Sequence, residues 1–125
     1  MVLLREAYYG AHRFDEFVRR AGFTEAVTAA RLRELVEAGL LERLPYRDPG
    51  QRRRDEYHLT EMGVDLYPAV LALTRWGDKW LRSDGGPIAL THAGCGAAID
   101  VDVRCGNGHH VALGEIDATA RRGSA

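Results

Sequence analysis

The feature that most constrains this chain is a pair of short amphipathic segments with almost nothing between them. In RFDEFVRRAG, Phe14, Phe17, Val18 and Ala21 recur at helical spacing, while Arg13, Asp15, Glu16, Arg19 and Arg20 take the other faces. Gly22 is placed to end that helix in the left-handed conformation, and Phe23 can then fold back on Val18. Thr24 is a good N-cap for a second helix, in which Val27, Leu32, Leu35 and Val36 are expected to face inward. Gly39 closes it, with Leu40 in reach of Leu35. Two helices of about ten and fourteen residues joined by so short a turn read as a helix-turn-helix.

The next stretch is strand-like. LLERLPY and RRDEYHL flank the turn Asp48-Pro49-Gly50, which predicts a hairpin with Arg52, Arg53 and Arg54 at its tip. Pro45 argues for an edge position in the first strand. Thr60 is an N-cap for a further helix, with Leu59 placed to staple onto Val64. Pro68 should kink or split that helix. Beyond it Val70, Leu73, Trp76, Gly77, Trp80 and Leu81 continue an apolar stripe. Two tryptophans near the end of a surface helix either meet a partner or cover the chain's own core, and the sequence leaves both open.

The 125 residues suit one domain with a small appendage, and the net charge of -1 does not announce a nucleic-acid binder. Charge is local instead. Between Arg43 and Arg54 there are five arginines against one acid, Asp48, whereas Asp100, Asp102, Glu115 and Asp117 make the C-terminal stretch acidic. A cationic hairpin on a neutral body can still dock on phosphate, because steering depends on the local field. No apolar run is long enough to span a membrane. Arg5 and Glu6 interrupt the N-terminal apolar run, so no signal peptide and a cytoplasmic location are expected. Cys95 and Cys105 are too few for a disulfide framework. His12, His58, His92, His109 and His110 are scattered, with no nucleophile elbow or phosphate-cradling loop beside them, so an enzyme is not expected.

The order helix, turn, helix, basic hairpin, helix predicts a mainly α fold with a β-hairpin wing, the winged helix-turn-helix. In that arrangement the second helix enters the major groove and its N-terminal half meets base edges. The wing lies on the neighbouring backbone or minor groove, where arginine grips phosphate and suits a narrow groove. The candidate DNA-binding residues are Thr24, Glu25, Thr28, Ala29 and Arg33 on or beside the outer face of the second helix, with Arg52, Arg53 and Arg54 on the wing. Arg31 reads as a phosphate clamp or an internal ion-pair partner, and Thr24 also has a plain capping role. For the arginines the plain alternative is a solvated turn.

Taken together, these motifs resemble a known family. RFDEFVRRAGFTEAVTAARLRELVEAGLLERLPY, with EYHLTEMGVDLYPAVLALTRWGDKWL after it, is similar to HxlR-type winged-helix transcriptional regulators from about Leu3 to Leu81. The RF-x-x-F opening, the RL-x-x-L-x-x-x-GL-x-x-R stretch, the EY-x-LT-x-x-G and the L-x-P-x-x-x-x-L-x-x-W carry the resemblance. It implies a homodimeric bacterial repressor or activator with recognition helix and wing on double-stranded DNA. It also implies pairing through terminal helices, for which Val70, Leu73, Trp76 and Trp80 would be the surface. Family members usually carry a further N-terminal helix, often with a cysteine; that helix is expected to be missing here, and redox sensing through its cysteine is not carried over. The sequence names no small-molecule effector.

Residues 1–82 are therefore expected to form the winged helix with its dimerisation helix, and 83–87, SDGGP, a linker. Residues 88–117 are expected to form a small C-terminal β-hairpin appendage, and 118–125 a disordered tail. Ile99, Val101, Val103 and Cys105 alternate with Asp100, Asp102 and Arg104, Asn107-Gly108 is a hairpin signal, and Val111 and Leu113 give a return strand. His92-x-x-Cys95 and Cys105-x-x-x-His109 resemble a zinc ribbon in which Gly108 stands at the last cysteine position. Two thiolates and two imidazoles could hold zinc tetrahedrally. The alternative is a metal-free sheet with Cys105 buried on the Ile99 face and His109 exposed, and no other cofactor is expected. Three function classes thus stand: a DNA-binding regulator, which the wing arginines favour, a protein-interaction winged helix without DNA, and a metal- or thiol-responsive sensor acting through the tail.

Overall fold

The computed structural model describes residues 1–46, 49–50 and 54–123. Arg52 and Arg53 of the expected wing tip lie outside the described residues, whereas Arg54 is inside. The elements are α1 (Val2–Tyr8), α2 (Phe14–Ala21), α3 (Glu25–Glu37), β1 (Leu41–Tyr46), β2 (Arg54–Leu59), α4 (Glu61–Asp65) and α5 (Tyr67–Trp80). The chain divides into two compact units, Met1–Trp76 and Gly77–Ala125, with the boundary inside α5. The first unit is mainly helical with a two-stranded antiparallel hairpin.

Local chemistry sets the element ends. Gly22 adopts φ 74° and donates its N–H to the Val18 carbonyl at 3.1 Å. The Thr24 hydroxyl accepts from the Val27 N–H at 3.2 Å, capping α3. At the other end Gly39, φ 85°, donates to Val36 and Leu40 donates to Leu35, each at 3.0 Å. That paired bonding is the Schellman stop the glycine predicts. α4 and α5 are separate helices, and Pro68 sits in the first turn of α5, where its missing N–H costs no helical bond.

The core joins α1, α2, α3 and the hairpin. Leu3, Ala7, Ala11, Phe17, Leu32 and Leu41 are buried together, with Tyr57 and Leu59 packed against them. The Phe17 and Tyr57 rings meet edge to face at 6.2 Å. Phe17, Leu32 and Leu41 are fully buried, and each such side chain stabilises the fold by about 1.5–3 kcal/mol relative to exposure. α3 is rotated by about one residue from the sequence expectation. Val27, expected inside, is 40% exposed, and Thr28, expected outside, is 0% exposed. The buried line is Thr28, Leu32, Leu35 and Val36, which keeps helical spacing better than a line through Val27. Among the described residues the Thr28 hydroxyl meets no hydrogen-bond partner in that position.

In the hairpin Leu41 pairs with Leu59 and Tyr46 with Arg54. The far edge of β2 is taken by an Arg13–Glu56 bridge, with the Tyr57 N–H donating to the His12 carbonyl at 2.6 Å. β1 is therefore the outer strand, and Pro45 sits there as expected. At the hairpin base the Thr60 N–H donates to the Leu40 carbonyl at 3.1 Å and its hydroxyl to the Gly39 carbonyl at 2.5 Å. The same hydroxyl caps α4 by accepting from the Gly63 N–H at 3.1 Å.

In the second unit the expected strand Ile99–Cys105 reduces to a single bridge at Arg104. Among the described residues of this unit there are two single bridges, Thr91–Ala98 and Arg104–His110, and a short 3-10 turn at Leu113–Glu115. Cys105 is exposed, not buried on an Ile99 face. Only a few apolar side chains, such as Ile99, Val101 and Val111, are even half-buried, and so little apolar burial does not offset the ordering of a longer ladder.

Gly63 is buried, and a Cβ placed on it would collide with the Leu40 carbonyl oxygen. Gly63→Ala is expected to cost about 1–3 kcal/mol, because backbone must move to admit the methyl. Urea unfolding of the two proteins checks this; equal midpoints would show that the approach of α4 to the end of α3 is not tight.

Candidate nucleic-acid interface

The outer surface of α3 begins at its cap. Thr24, Glu25, Ala26 and Val27 are exposed, Ala29 and Ala30 are half-buried, and Arg31, Arg33, Glu34 and Glu37 are exposed. Of the residues expected to meet DNA, Thr24, Glu25, Arg31 and Arg33 therefore reach the surface and Ala29 does so in part. Thr28 is corrected: it lies in the core and presents nothing to a ligand. Ala26, Val27 and Ala30 take the place given to it. Counting back in fours from Leu32, an unambiguous core residue of the helix, would have found this phase. Arg31 borders a cavity of about 230 Å³ between the start of α1 and α3, together with Met1, Val2, Phe23 and Glu34.

The hairpin is held against the helix pair by a polar cluster that the sequence did not single out. Glu56 on β2 is its centre. His12 Nε2 lies 3.2 Å from one carboxylate oxygen and His58 Nε2 3.5 Å from the other. Arg13 Nε donates to Glu56 at 3.4 Å, and the two imidazoles stack with centroids 5.6 Å apart. Glu16 adds a second carboxylate, accepting from the Arg13 N–H at 3.0 Å. Desolvation pushes the Glu56 carboxyl up, but hydrogen bonds from His58 and Arg13 and the neighbouring imidazoles outweigh it and hold its pKa below the ordinary glutamate value. Higher on the hairpin Arg13 lies over the Tyr46 ring at 4.2 Å, and Arg43 meets Asp55 at 4.0 Å. Arg54, opposite Tyr46, is exposed.

The remaining expected sites divide. On α5, Leu73 is 61%, Trp76 56% and Trp80 65% exposed, but Val70 is 4% exposed and belongs to the chain's own core. Val70 is thereby corrected, because α5 needs one face to pack on. In the second unit His92 Nδ1 and Cys95 Sγ approach to 3.2 Å across a turn closed by the Gly96 N–H on the His92 carbonyl at 2.7 Å. Cys105 and His109 are joined through backbone, N–H to carbonyl at 3.0 Å. Backbone hydrogen bonds from His109 and Asn107 lower the Cys105 thiol pKa. Among the described residues no three His, Cys, Asp or Glu side chains come together as metal ligands. As placed, His92, Cys95, Cys105 and His109 do not fit a tetrahedral zinc.

The HxlR-like helix-turn-helix family profile matches residues 1–85. The uncharacterised HTH-type transcriptional regulator Rv3095 of Mycobacterium tuberculosis is 42% identical over 106 residues, 84% of this chain. The chain spans 66% of the length of that relative. Among solved structures, the candidate transcription factor PA1374 of Pseudomonas aeruginosa is similar at TM-score 0.75 and 30% identity, over 99% of this chain and 84% of that one. A second candidate transcription factor, PA1607, gives TM-score 0.79 at 31% identity, over 97% and 84%. These relatives are named for transcription regulation and not for an enzyme activity. No helix among the described residues is long and apolar enough to cross a membrane.

The Glu56 cluster has a pH signature. A carboxyl whose pKa is depressed in the folded state contributes stability above its unfolded value and loses it as pH falls through the folded one. Glu56→Gln should therefore lower the melting temperature at neutral pH, and the gap to the wild type should close in acid, below the usual glutamate range. A gap that stays constant with pH would show that the Glu56 charge does not hold the hairpin.

Proposed function

The chain belongs to the HxlR-like helix-turn-helix family, and we propose that it is a sequence-specific, DNA-binding transcriptional regulator that acts as a homodimer in the cytoplasm. α3 lies in the major groove and the β1–β2 hairpin lies on the adjacent backbone or minor groove. The observation that carries this reading is the exposed face of α3. Thr24, Glu25, Ala26 and Val27 open that face with Arg31 and Arg33 beside them, and the hairpin after it brings Arg54, with Arg52 and Arg53 next to it in sequence. Helix N-terminal turns meet base edges, while arginines at the margins neutralise phosphate.

One winged helix spans only a few base pairs, so a specific site calls for two copies about one helical turn apart. Leu73, Trp76 and Trp80 are the surface proposed for that pairing, because large apolar side chains exposed on one helix lose unfavourable hydration against a twofold mate. In sedimentation at several concentrations the chain should self-associate, and Trp76→Glu should shift it to monomer. A wild-type monomer at every concentration would sink the dimer.

Replacing Arg52, Arg53 and Arg54 together by Ala should weaken binding to all sequences alike and flatten the dependence of log affinity on log salt by up to about three ions. The same titration with wild-type and variant chains measures it, and identical slopes would take the wing off the DNA.

A further inference from the structure

We infer that α3 reads thymine methyl groups through an apolar patch made by Ala26, Val27 and Ala30, and so selects A·T pairs at the centre of its half-site; the inference rests on the regulator reading above. Three observations carry it. First, rotating α3 so that Thr28 and Leu32 are buried leaves Val27 40% exposed, with Ala26 exposed and Ala30 half-buried beside it. Ala30 lies three residues after Val27 and four after Ala26, so it adjoins both and joins them into one surface on the first two turns. Secondly, the position of Val27 is fixed: its N–H is bound to the Thr24 hydroxyl at 3.2 Å, and a β-branched side chain in a helix has essentially one χ1 rotamer. The patch is thus presented without conformational cost on contact. Thirdly, charge surrounds the patch in the manner a groove requires. Arg31 and Arg33 are exposed near it, one acid, Glu25, stands at its N-terminal edge, and Glu34 and Glu37 lie further along, in the half of the helix that points away from the base edges.

The chemistry then selects the ligand. No side chain in the patch can donate to guanine O6 and N7 or pair with adenine N6 and N7. What the major groove offers an apolar side chain is the C5-methyl of thymine. Two alanines and a valine are also too small a surface to hold a protein partner. Glu25, at the edge of the patch, is an acceptor and can take a hydrogen bond from cytosine N4, which places any G·C preference beside the thymine positions and not within them.

The test removes the methyl from the DNA and the valine from the protein. A site is first selected from a random duplex pool with the wild-type chain. Each thymine of that site is then replaced in turn by deoxyuridine, which lacks only the C5-methyl. At one or two positions in each half-site uracil should weaken wild-type binding about fourfold, the value of one buried methyl-sized group. For Val27→Ala, an exposed change that favours the helix and leaves the fold intact, thymine and uracil should bind alike at one of those positions, with an unchanged salt slope. Specific binding with a flat uracil scan overturns the inference and leaves the regulator reading standing. So does a thymine preference that survives Val27→Ala. If the wild-type chain binds no duplex at all, both fall together.

Discussion

The Leu40 carbonyl is the point on which the first unit turns. It lies just past the last turn of α3, where a helix leaves acceptors without intrahelical donors. Thr60 supplies the donor with its backbone N–H and uses its hydroxyl on the neighbouring Gly39 carbonyl. Gly63 packs against the same carbonyl, and Tyr8 of α1 donates to the Gly63 carbonyl at 2.6 Å. One small knot thus binds the end of α3, the start of α4 and α1. It also pins both ends of the hairpin, since Leu41 and Leu59, the innermost pair, flank it in sequence. The direction in which the hairpin leaves α3 is set by this knot, and the EY-x-LT-x-x-G stretch is the set of residues that ties it.

A two-stranded hairpin is marginal by itself, so a wing needs a second support. The Arg13–Glu56 bridge and its imidazoles provide it part of the way along β2. This arrangement uses some of the local positive charge inside the protein. Arg13 and Arg43 meet Glu56 and Asp55, and they act on the hairpin more than on a distant phosphate. Arg31 and Arg33 of α3 and Arg54 of the hairpin are exposed. Glu25, Glu34 and Glu37 are exposed on α3 as well, so the charge of that surface is mixed and its field is set by which of these groups stands nearest.

The second unit obeys the opposite rule. Its chain is organised by turns whose backbone bonds close on themselves, and hardly any side chain in it is even half-buried. Its two cysteines are exposed, and backbone amides near Cys105 hold its thiol pKa below the ordinary value.

What the sequence determined by itself are the events settled within three or four residues. Gly22 and Gly39 end their helices, Thr24 and Thr60 start theirs, Pro68 divides α4 from α5, and Pro45 keeps β1 at the edge, because each outcome depends on a bond or clash with near neighbours. The helix-turn-helix and its hairpin were legible for that reason, as was the exposure of Arg33, whereas Arg31 was left open. The phase of α3 was not legible. Valine and threonine have almost the same shape and hydropathy favours valine inside, yet Thr28 is the buried one and Val27 is 40% exposed; only the spacing from Leu32 hinted at it. The Glu56 cluster was hidden likewise, since His12 and Glu56 are brought together by chain reversal and not by spacing. Val70 turned inward for the same reason, while the alternating residues of the tail had no facing layer to pair against. Which residues form elements is a local matter; which faces of those elements are buried, and so which are left exposed, is decided by what packs on them.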